Sequence, residues 1–208
     1  MKVIRGQHVE STQNTIIALT GNGASEGRVL TALAEKLDPP EEPKIILMPQ
    51  TSGRTGLEPT IDTLAGLIVT GLVTKTYAIV IDKEHLKEEP EDHIREALQD
   101  HGFTIHNFIK LSDDLYRITC IKGEQLDIYI ATLGITPKGN LEEHLAELIK
   151  LRYGEQVEPD KRAISRWLRQ NQKKLEDLIR EATRNQLQRA LKPLYQLIET
   201  LRKDPPEP

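Results

Sequence analysis

The sequence predicts an α/β protein whose sheet is mostly parallel. Over the first three-quarters of the chain, short apolar runs alternate with helical patterns, as in chains that form parallel sheets. The chain has 208 residues, enough for one domain with a sizeable core plus an appendage. Hydrophobic residues make up 38% and charged residues 29%, which is typical of a globular protein. We expect an α/β domain over residues 1–155, a helical extension over 160–203 and a frayed tail over 204–208.

The first predicted unit is a buried strand followed by a glycine-containing turn and a helix. The strand covers residues 16–20 and runs into the sequence Gly21-Asn22-Gly23. Ser25 is a residue type that caps helices, so we expect it to begin a helix that continues to about residue 37.

Two further strand-helix units follow. Residues 44–48 form the second predicted strand, and a loop rich in Gly, Ser and Thr leads to a helix that begins near Pro59, because proline is favoured in the first turn of a helix. The third predicted strand, residues 76–81, is fully apolar and ends at Asp82. An acidic loop then precedes a helix over about residues 90–101.

The last part of the predicted domain contains antiparallel strands and one helix. Residues 105–121 have the pattern of a hairpin that turns near residues 112–114, and residues 126–132 form another strand. Asn140 and Glu143 have the spacing of a capping box for a helix that ends near residue 152. We therefore expect a sheet of about four or five strands with helices on both faces.

From Asp160 onwards the pattern is that of an amphipathic helix. On a helical projection, apolar residues such as Ile164 and Ile179 fall on one side, and Trp167 beside them is expected to anchor the helix to the domain. Pro193 predicts a kink or a new helix. The opposite side carries the cations Arg162, Arg166, Arg169, Lys173, Arg180 and Arg184.

The charge is divided unevenly between the two parts of the chain. The formal net charge is −4, but residues 1–159 contain 16 basic and 25 acidic residues, a net of −9, whereas residues 160–208 contain 12 basic and 7 acidic residues, a net of +5. A basic helix face predicts binding of a polyanion such as DNA or RNA. Aromatic residues are only 4% of the chain, which favours contact with the backbone over stacking on bases.

Other features exclude several classes of protein. The single cysteine, Cys120, excludes an intramolecular disulfide and a cysteine-based zinc site, and its alternation with apolar neighbours predicts a core residue. No apolar run reaches the length of about 18 residues that a membrane helix needs. The amino terminus also lacks the apolar core of a signal peptide, so we expect a cytoplasmic protein that does not contact a membrane.

Two predicted strand ends carry chemistry suited to a ligand. In open parallel sheets, ligands bind at the carboxyl ends of the strands. After the first strand, a turn and helix start could hold a phosphate, with Gly21, Asn22, Gly23 and Ser25 as the candidate contacts. After the third strand, Asp82 and Glu84 are two residues apart, so both carboxylates can reach one hard cation such as Mg²⁺ or Mn²⁺.

The glycine turn does not match two common nucleotide-binding motifs. The second strand ends in Pro49 and Gln50, without the acidic residue that holds a ribose in dinucleotide-binding proteins, and the turn lacks the Lys-Ser/Thr ending of a Walker loop. A simple tight turn remains an equally good interpretation of the glycines. A strand-end aspartate can likewise be a cap, and Glu142 and Glu143 are types favoured by the dipole at a helix start.

The order of three segments resembles the Toprim domain, most closely the small stand-alone Toprim-like proteins of prokaryotes. The segments are IIALTGNGASE at 16–26, AIVIDKE at 78–84 and GNLEE at 139–143, and the resemblance covers about residues 14–152. In that family the first strand ends in a glutamate followed by glycine, and a later strand ends in Asp-x-Asp. The resemblance implies that Asp82, Glu84 and Glu142 bind Mg²⁺ and act on phosphodiesters.

The sequence departs from the family pattern at the first motif. Asn22 stands where the resemblance expects the glutamate that acts as general acid or base, and an amide does not exchange a proton near neutral pH. Glu84 keeps the carboxylate of the second aspartate on a longer arm. Glu26, one helical turn beyond Asn22, is the candidate to supply the missing carboxylate, so we expect the catalytic residues to be Glu26, Asp82 and Glu84.

Three functions are therefore open from the sequence. The first is a magnesium-dependent nucleic-acid phosphodiesterase, or a nuclease-like subunit, whose basic helix follows the nucleic-acid backbone. The second is a catalytically degenerate Toprim-like module that binds nucleic acid or joins a larger complex, as the replacement at Asn22 suggests. The third is a small-nucleotide or second-messenger sensor that forms a homodimer, or binds a partner subunit, through the carboxy-terminal helix.

Overall fold

The structure is a computed structural model that describes residues 3–5, 15–21, 23–37, 44–47, 55–71 and 74–203. These residues form an α/β fold around one mixed sheet of seven strands in the order β1-β3-β2-β4-β7-β6-β5. The strands are β1 Val3–Arg5, β2 Thr15–Thr20, β3 Lys44–Leu47, β4 Thr76–Asp82, β5 Thr104–Ser112, β6 Leu115–Lys122 and β7 Glu124–Leu133. The sheet is larger than the four or five strands expected from the sequence.

The sheet combines a parallel part with an antiparallel edge. Strands β1, β3, β2, β4 and β7 pair in parallel, whereas β5, β6 and β7 form an antiparallel meander. The predicted hairpin around residues 112–114 is confirmed as the β5–β6 connection. The prediction of a mostly parallel α/β sheet is therefore confirmed, with an antiparallel edge as its exception.

Helices cover both faces of the sheet, as the sequence predicts. The helices are α1 Ala24–Leu37, α2 Leu57–Val69, α3 Pro90–Asp100, α4 Leu141–Tyr153, α5 Lys161–Gln170, α6 Leu175–Glu181, α7 Arg184–Ala190 and α8 Lys192–Lys203. Helices α2 and α3 pack on one face, while α1, α4 and the four carboxy-terminal helices pack on the other.

The strand sequences explain why both faces are covered. In β2, Ile16 and Ala18 belong to the core under α1 and α4, while Ile17 and Leu19 belong to the core under α2 and α3. Successive side chains of a strand point to opposite faces, so a strand that is apolar at every position must be buried on both. All six residues of β2 and all seven of β4 are buried. Cys120 is a fully buried core residue, as predicted, and its burial raises the pKa of the thiol to about 12.

The expectation of one long amphipathic helix after Asp160 is wrong, because this stretch forms the four helices α5 to α8. The first break follows Gln170, where Gln172 adopts a left-handed conformation with φ of 53°. The second follows Ala182, where Thr183 and Gln186 form a capping box that begins α7. Helix α8 begins at Lys192 and includes Pro193, in agreement with the predicted new helix near that proline.

The apolar residues of these four helices are buried within the chain. Leu178, Leu187, Leu194 and Leu201 are each 0% exposed and share one core with α1, α4 and the sheet. Trp167 is 5% exposed, which confirms its predicted role as an anchor for α5. The apolar sides of α5 to α8 therefore face the chain's own core.

The predicted single basic stripe is also wrong. The stretch is divided into separate helices, so the six cations are spread over α5, the α5–α6 connection, α6 and α7. Arg162, Arg166 and Arg169 are exposed on α5. The other three contact the protein itself. Lys173 pairs with Glu181 at 2.7 Å, Arg180 pairs with Glu35 at 3.4 Å, and Arg184 donates to the Leu37 carbonyl at 3.1 Å.

Within the described ranges, no helix combines the length and apolar character that crossing a membrane requires.

Candidate functional site

The candidate site lies where the strand order of the sheet reverses. From β2 the chain passes through α1 to β3 on one side, and from β3 it passes through α2 to β4 on the other side of β2. The helices of these two connections lie on opposite faces of the sheet. A crevice forms at the carboxyl ends of two such strands, where open α/β sheets bind their ligands. The carboxyl ends of β2 and β4 are the two strand ends that the sequence singled out.

The turn after β2 is held close to the neighbouring chain. Gly21 donates its N–H to the Val80 carbonyl at 2.8 Å, and its own carbonyl accepts from Gly56 at 2.9 Å. A Cβ atom at position 21 would overlap Cδ1 of Ile81, so a larger residue there would force the Ile81 side chain to move. Gly23 has a φ of 122°, which L-residues rarely adopt.

The other predicted phosphate contacts of this turn are placed only in part. Asn22 lies outside the described residues. Helix α1 begins at Ala24, so Ser25 is inside its first turn and is not the helix cap that the sequence suggested.

Asp82 is the centre of the site. It is the last residue of β4, is 2% exposed, and accepts a hydrogen bond at Oδ1 from the backbone N–H of Leu141 at 3.1 Å. Burial raises its pKa to about 8, with further contributions from the negative charges of Glu26, Glu142 and Glu84. Asp82 is therefore within electrostatic reach of these three glutamates.

Glu84 lies in the 3₁₀ turn Lys83–His85 that follows β4. Its backbone N–H donates to the Gly139 carbonyl at 3.2 Å, and its Oε2 accepts from Nδ2 of Asn140 at 3.3 Å. His85 lies with Nε2 at 3.6 Å from the other carboxylate oxygen. These contacts attach the turn to the residues that begin α4.

Lys83, between the two acids, has a structural role. Its ammonium group pairs with Asp114 at 2.7 Å and donates to the Gly134 carbonyl at 2.8 Å. The turn after β4 is therefore tied both to the β5–β6 hairpin and to the loop after β7. Fixing the backbone in this way also fixes the starting points of the side chains of Asp82 and Glu84.

Glu26 supplies a carboxylate from the first turn of α1. It is 5% exposed, and its Oε2 atom is buried without a hydrogen-bond partner among the described residues. Burial raises the pKa of Glu26, and the charges of Glu142 and Glu84 raise it further. A buried carboxylate oxygen without a donor is costly, and such an atom commonly marks a water or ion site.

Glu142 lies half-buried in the first turn of α4 and completes the group of four acids. Burial raises its pKa, the positive charge of Lys161 lowers it, and Glu84 raises it again. The positive charge of Lys161 also lowers the pKa of Glu26. The first residue of α5 is therefore within electrostatic reach of two of the four interacting acids Glu26, Asp82, Glu84 and Glu142, which we call the acidic cluster.

Glu143 is not part of this cluster, and the predicted capping box is wrong. Asn140 is the residue before α4 but makes no side-chain cap, and the side chain of Asp82 accepts the Leu141 N–H instead. Glu143 accepts hydrogen bonds from the backbone of Ile135 at 2.6 Å and of Thr136 at 2.9 Å. Although burial opposes the change, these bonds and one from the Thr136 hydroxyl lower the pKa of Glu143.

Two residues of the site were not identified from the sequence. Asn140 was interpreted only as a helix cap, yet its Nδ2 contacts Glu84 and its Oδ1 is a second buried oxygen without a partner in the described part of the chain. Lys161 was counted only in the charge of the extension. Asn140 could have been suspected because it belongs to the third motif. Lys161 could not, because the packing of α5 on α4 brings it to the site.

The acidic cluster is separate from a cleft that opens beside the turn after β4. That cleft has a volume of about 740 Å³ and lies between the turn after β4, the start of α3 and the β5–β6 hairpin. Lys83 lines it, together with Lys110, Lys138 and several acids, but the four members of the acidic cluster do not. Its mixture of both charges does not select one class of ligand.

The donor atoms of the acidic cluster fit a hard divalent cation in type. Carboxylate and amide oxygens are the ligands that Mg²⁺ takes, usually one or two from the protein with water completing the shell. Among the described residues, no three His, Cys, Asp or Glu side chains are already arranged as a metal site. The two buried oxygens of Glu26 and Asn140 that lack partners are the observation in favour of such a ligand.

Comparisons of the chain with protein-family models, with curated proteins and with solved structures found no match. The resemblance to Toprim domains therefore stays a prediction from the three motifs.

Proposed function

We propose that this protein is a Toprim-like phosphodiesterase that acts on nucleic acid with Mg²⁺ or Mn²⁺. The observation that carries the proposal is the acidic cluster at the point where the strand order reverses, with the unpartnered Oε2 of Glu26 buried in it. Burial raises the pKa of Glu26, Asp82 and Glu142, and the negative charges of neighbouring acids raise it further, while Lys161 lowers the pKa of Glu26 and Glu142. A divalent cation relieves this repulsion and has the charge that a phosphodiester substrate requires.

The roles of the residues follow from their positions. Asp82 and Glu84, from the end of β4, would hold the cation together with Glu142. When bound, the cation neutralises the charge that develops on the phosphate oxygens and makes water more acidic. The backbone N–H of Gly21 is used in the bond to Val80. The glycine turn after β2 would therefore bring the N–H groups of Gly23 and of the first turn of α1 towards the phosphate.

Glu26 is the candidate for the proton-transfer role. Its pKa is raised by burial, as is typical of carboxylates that exchange protons near neutral pH. It lies in the first turn of α1, one helical turn beyond Asn22. Asn22 occupies the position at which the Toprim pattern has its glutamate. This assignment would let the protein keep the chemistry of the family with the carboxylate moved by one helical turn.

A cleavage assay tests the proposal. Labelled single-stranded and duplex DNA and RNA are incubated with the protein in Mg²⁺, in Mn²⁺ and in EDTA. We expect cleavage that EDTA abolishes and that Asp82→Asn and Glu84→Gln each reduce by about 100-fold or more. Glu147→Gln is the matched control, because Glu147 is on α4 outside the acidic cluster and pairs with Lys150. Cleavage that is equal in all variants, or absent in the wild type, overturns the proposal.

A second candidate function is a non-catalytic nucleic-acid-binding module. The observation that favours it is the hydrogen bond from Leu141 to Asp82, since a buried aspartate with a pKa of about 8 can act as a protonated helix cap. The amide at Asn22 agrees with this function. Wild-type protein that binds the labelled substrates in Mn²⁺ without cutting them would support the module over the enzyme.

A further inference from the structure

The outer side of α5 is an exposed surface of four cations. Lys161, Arg162, Arg166 and Arg169 are all exposed, and none forms an ion pair with another described residue. On a helix these four positions fall within an arc of about 140°, so they form one continuous surface. We call this surface the cationic face of α5.

The rest of the carboxy-terminal region differs from this face. Lys173, Arg180 and Arg184 contact Glu181, Glu35 and the Leu37 carbonyl. Their charges therefore stabilise the packing of α6 and α7 and are partly neutralised. Exposed cations such as Arg189 and Lys192 also occur on α7 and α8, but among the described carboxy-terminal helices α5 alone carries four.

Helix α5 holds this face in a fixed position. Asp160 caps the helix by accepting hydrogen bonds from the backbone of Arg162 at 2.8 Å and of Ala163 at 3.0 Å. On the inner side, Trp167 donates to Glu155 at 2.7 Å and contacts the ring of Tyr153. A helix that is already ordered binds a partner without the cost of folding it.

One end of the cationic face lies at the acidic cluster. Val157, Glu158 and Pro159, just before α5, line one cleft with Glu143, so the start of α5 at Lys161 lies beside the first turn of α4, which also carries Glu142. The face therefore extends from the rim of the candidate site to Arg169, a distance of about 12 Å at 1.5 Å per residue. This length matches about three or four phosphates along one strand of duplex DNA.

We propose that the cationic face of α5 binds the phosphate backbone of a nucleic acid and leads the strand to the acidic cluster. The proposal deepens the proposed function and rests on it for the second part, the delivery of the strand to the cluster. The binding itself requires no catalysis. Because no aromatic side chain is exposed on this side of α5, we expect contact with phosphates and little preference for sequence.

An anionic membrane is the other polyanion that could attract this face, and the packing of α5 argues against it. A helix that lies in a membrane interface inserts its apolar side between the lipids. The apolar side of α5 is formed by Ile164 and Trp167, which are 4% and 5% exposed and belong to the core. The helix therefore offers only its charged side.

The test compares nucleic-acid binding by two variants of the full chain. One is Arg162→Gln/Arg166→Gln/Arg169→Gln, and the matched control is Arg189→Gln/Lys192→Gln, which removes exposed cations from α7 and α8. Binding to labelled 30-mer DNA and RNA, single-stranded and duplex, is measured in EDTA between 50 and 200 mM salt. Thermal unfolding checks that both variants are folded.

For the triple variant we expect Kd at 50 mM salt to rise about tenfold or more, and the slope of log K against log[salt] to become shallower by about 2 to 3. The control variant should keep the wild-type slope to within one. Equal slopes in the wild type and the triple variant, or no binding by the wild type, overturn the proposal. Binding to vesicles of anionic lipid in place of nucleic acid also overturns it.

The two proposals fail in different ways. If Asp82→Asn binds nucleic acid with the wild-type slope but no protein cuts it, the phosphodiesterase fails and the binding face stands. If the wild type cuts and the triple variant cuts equally well at every substrate concentration, the enzyme stands and the face does not lead the strand to it. The combined proposal expects the triple variant to raise KM and leave kcat unchanged, because the arginines position the strand without touching the reacting atoms.

Discussion

The Oδ1 atom of Asp82 lies 3.1 Å from the backbone nitrogen of Leu141 and accepts its hydrogen bond. This contact joins the end of β4 to the start of α4, 59 residues later in the chain. Leu141 is fully buried, so no water can replace the acceptor. The same carboxyl group that stands at the centre of the acidic cluster therefore also holds a helix start in place.

Two substitutions at Asp82 separate these roles. Asp82→Asn keeps an oxygen that can accept from Leu141 and removes the charge, so we expect cleavage to be lost while the free energy of unfolding stays within about 1 kcal/mol of the wild type. Asp82→Ala leaves the buried N–H of Leu141 without an acceptor and should lower the free energy of unfolding by about 1–3 kcal/mol. Urea unfolding and the cleavage assay measure the two effects. Equal stability of the two variants would show that the hydrogen bond has no structural role.

Divalent cations should stabilise the folded protein through the acidic cluster. A ligand that binds only the folded state raises the free energy of unfolding by RT ln(1 + [L]/Kd), about 2.7 kcal/mol at 100 times Kd. We expect Mn²⁺ and Mg²⁺ to raise the melting temperature in a concentration-dependent way, and EDTA to reverse the shift.

Glu26→Gln is the variant for this measurement, because it removes one charge from the acidic cluster and keeps the shape of the side chain. The melting temperature of the variant should respond less to Mn²⁺ than that of the wild type. Glu147→Gln, outside the acidic cluster, should respond as the wild type does. A shift of the same size in all three proteins would place the bound cation elsewhere.

The raised pKa of Asp82 predicts a pH dependence of stability in EDTA. Its pKa is about 8 in the folded protein and 3.8 in the reference state, so the folded state binds more protons between these values. The stabilisation from this group is complete below about pH 4 and is lost as the pH rises towards about 8. Asp82→Asn removes this dependence. In urea unfolding at pH 5, 6, 7 and 8, the free energy of unfolding of the wild type should therefore fall relative to that of the variant as the pH rises. Parallel curves for wild type and variant would contradict the raised pKa.

Most of the sheet was predictable because its strands have an unusual composition. A strand such as β4, with the sequence TYAIVID, is apolar on both faces, and in a chain with alternating helices such strands are central in a parallel sheet. The acids at its end were predictable for the same reason, since the end of a buried strand fixes where Asp82 and Glu84 emerge. Six of the seven strands correspond to segments marked in the sequence, although the sheet was expected to have four or five; the edge strand β1, with three residues, is too short to show a period.

The carboxy-terminal region shows what a helical projection misses. The projection assumes a single helix axis. The turn at Gln172 ends one helix, and the capping box of Thr183 with Gln186 begins another, each with its own axis. The Thr-x-x-Gln spacing was present in the sequence as a start signal. The role of Lys161 could not be predicted from the sequence, because its proximity to Glu26 and Glu142 depends on how α5 packs on α4.

The ion pair between Arg28 and Glu176 should support the packing of α6 on α1 at neutral pH. Two hydrogen bonds of 2.7 Å join the guanidinium to both carboxylate oxygens, and they lower the pKa of Glu176 to about 2. Because the folded-state pKa is lowered, the stabilisation is present above about pH 4.5 and is lost as the pH falls towards 2. Glu176→Gln should cost about 1 kcal/mol at pH 7, since both side chains are partly exposed, and much less at pH 3. Glu147→Gln, which breaks an exposed pair on α4, is the control and should cost less than about 0.5 kcal/mol at either pH.

The shared core predicts that the carboxy-terminal helices and the sheet unfold together. Leu194 of α8 is fully buried in the same core as residues of α1, β4 and β7, so Leu194→Ala should lower the free energy of unfolding by about 2–5 kcal/mol. Trp167 is the single tryptophan of the chain, so its fluorescence reports on α5, while far-ultraviolet circular dichroism reports on all helices and strands. We expect the two signals to change at the same urea concentration in the wild type and, at a lower one, in the variant. A fluorescence transition that shifts while the main circular dichroism transition stays in place would mean that the helices after Asp160 fold as a separate unit, and the cationic face of α5 would then be positioned by a hinge and not by the core.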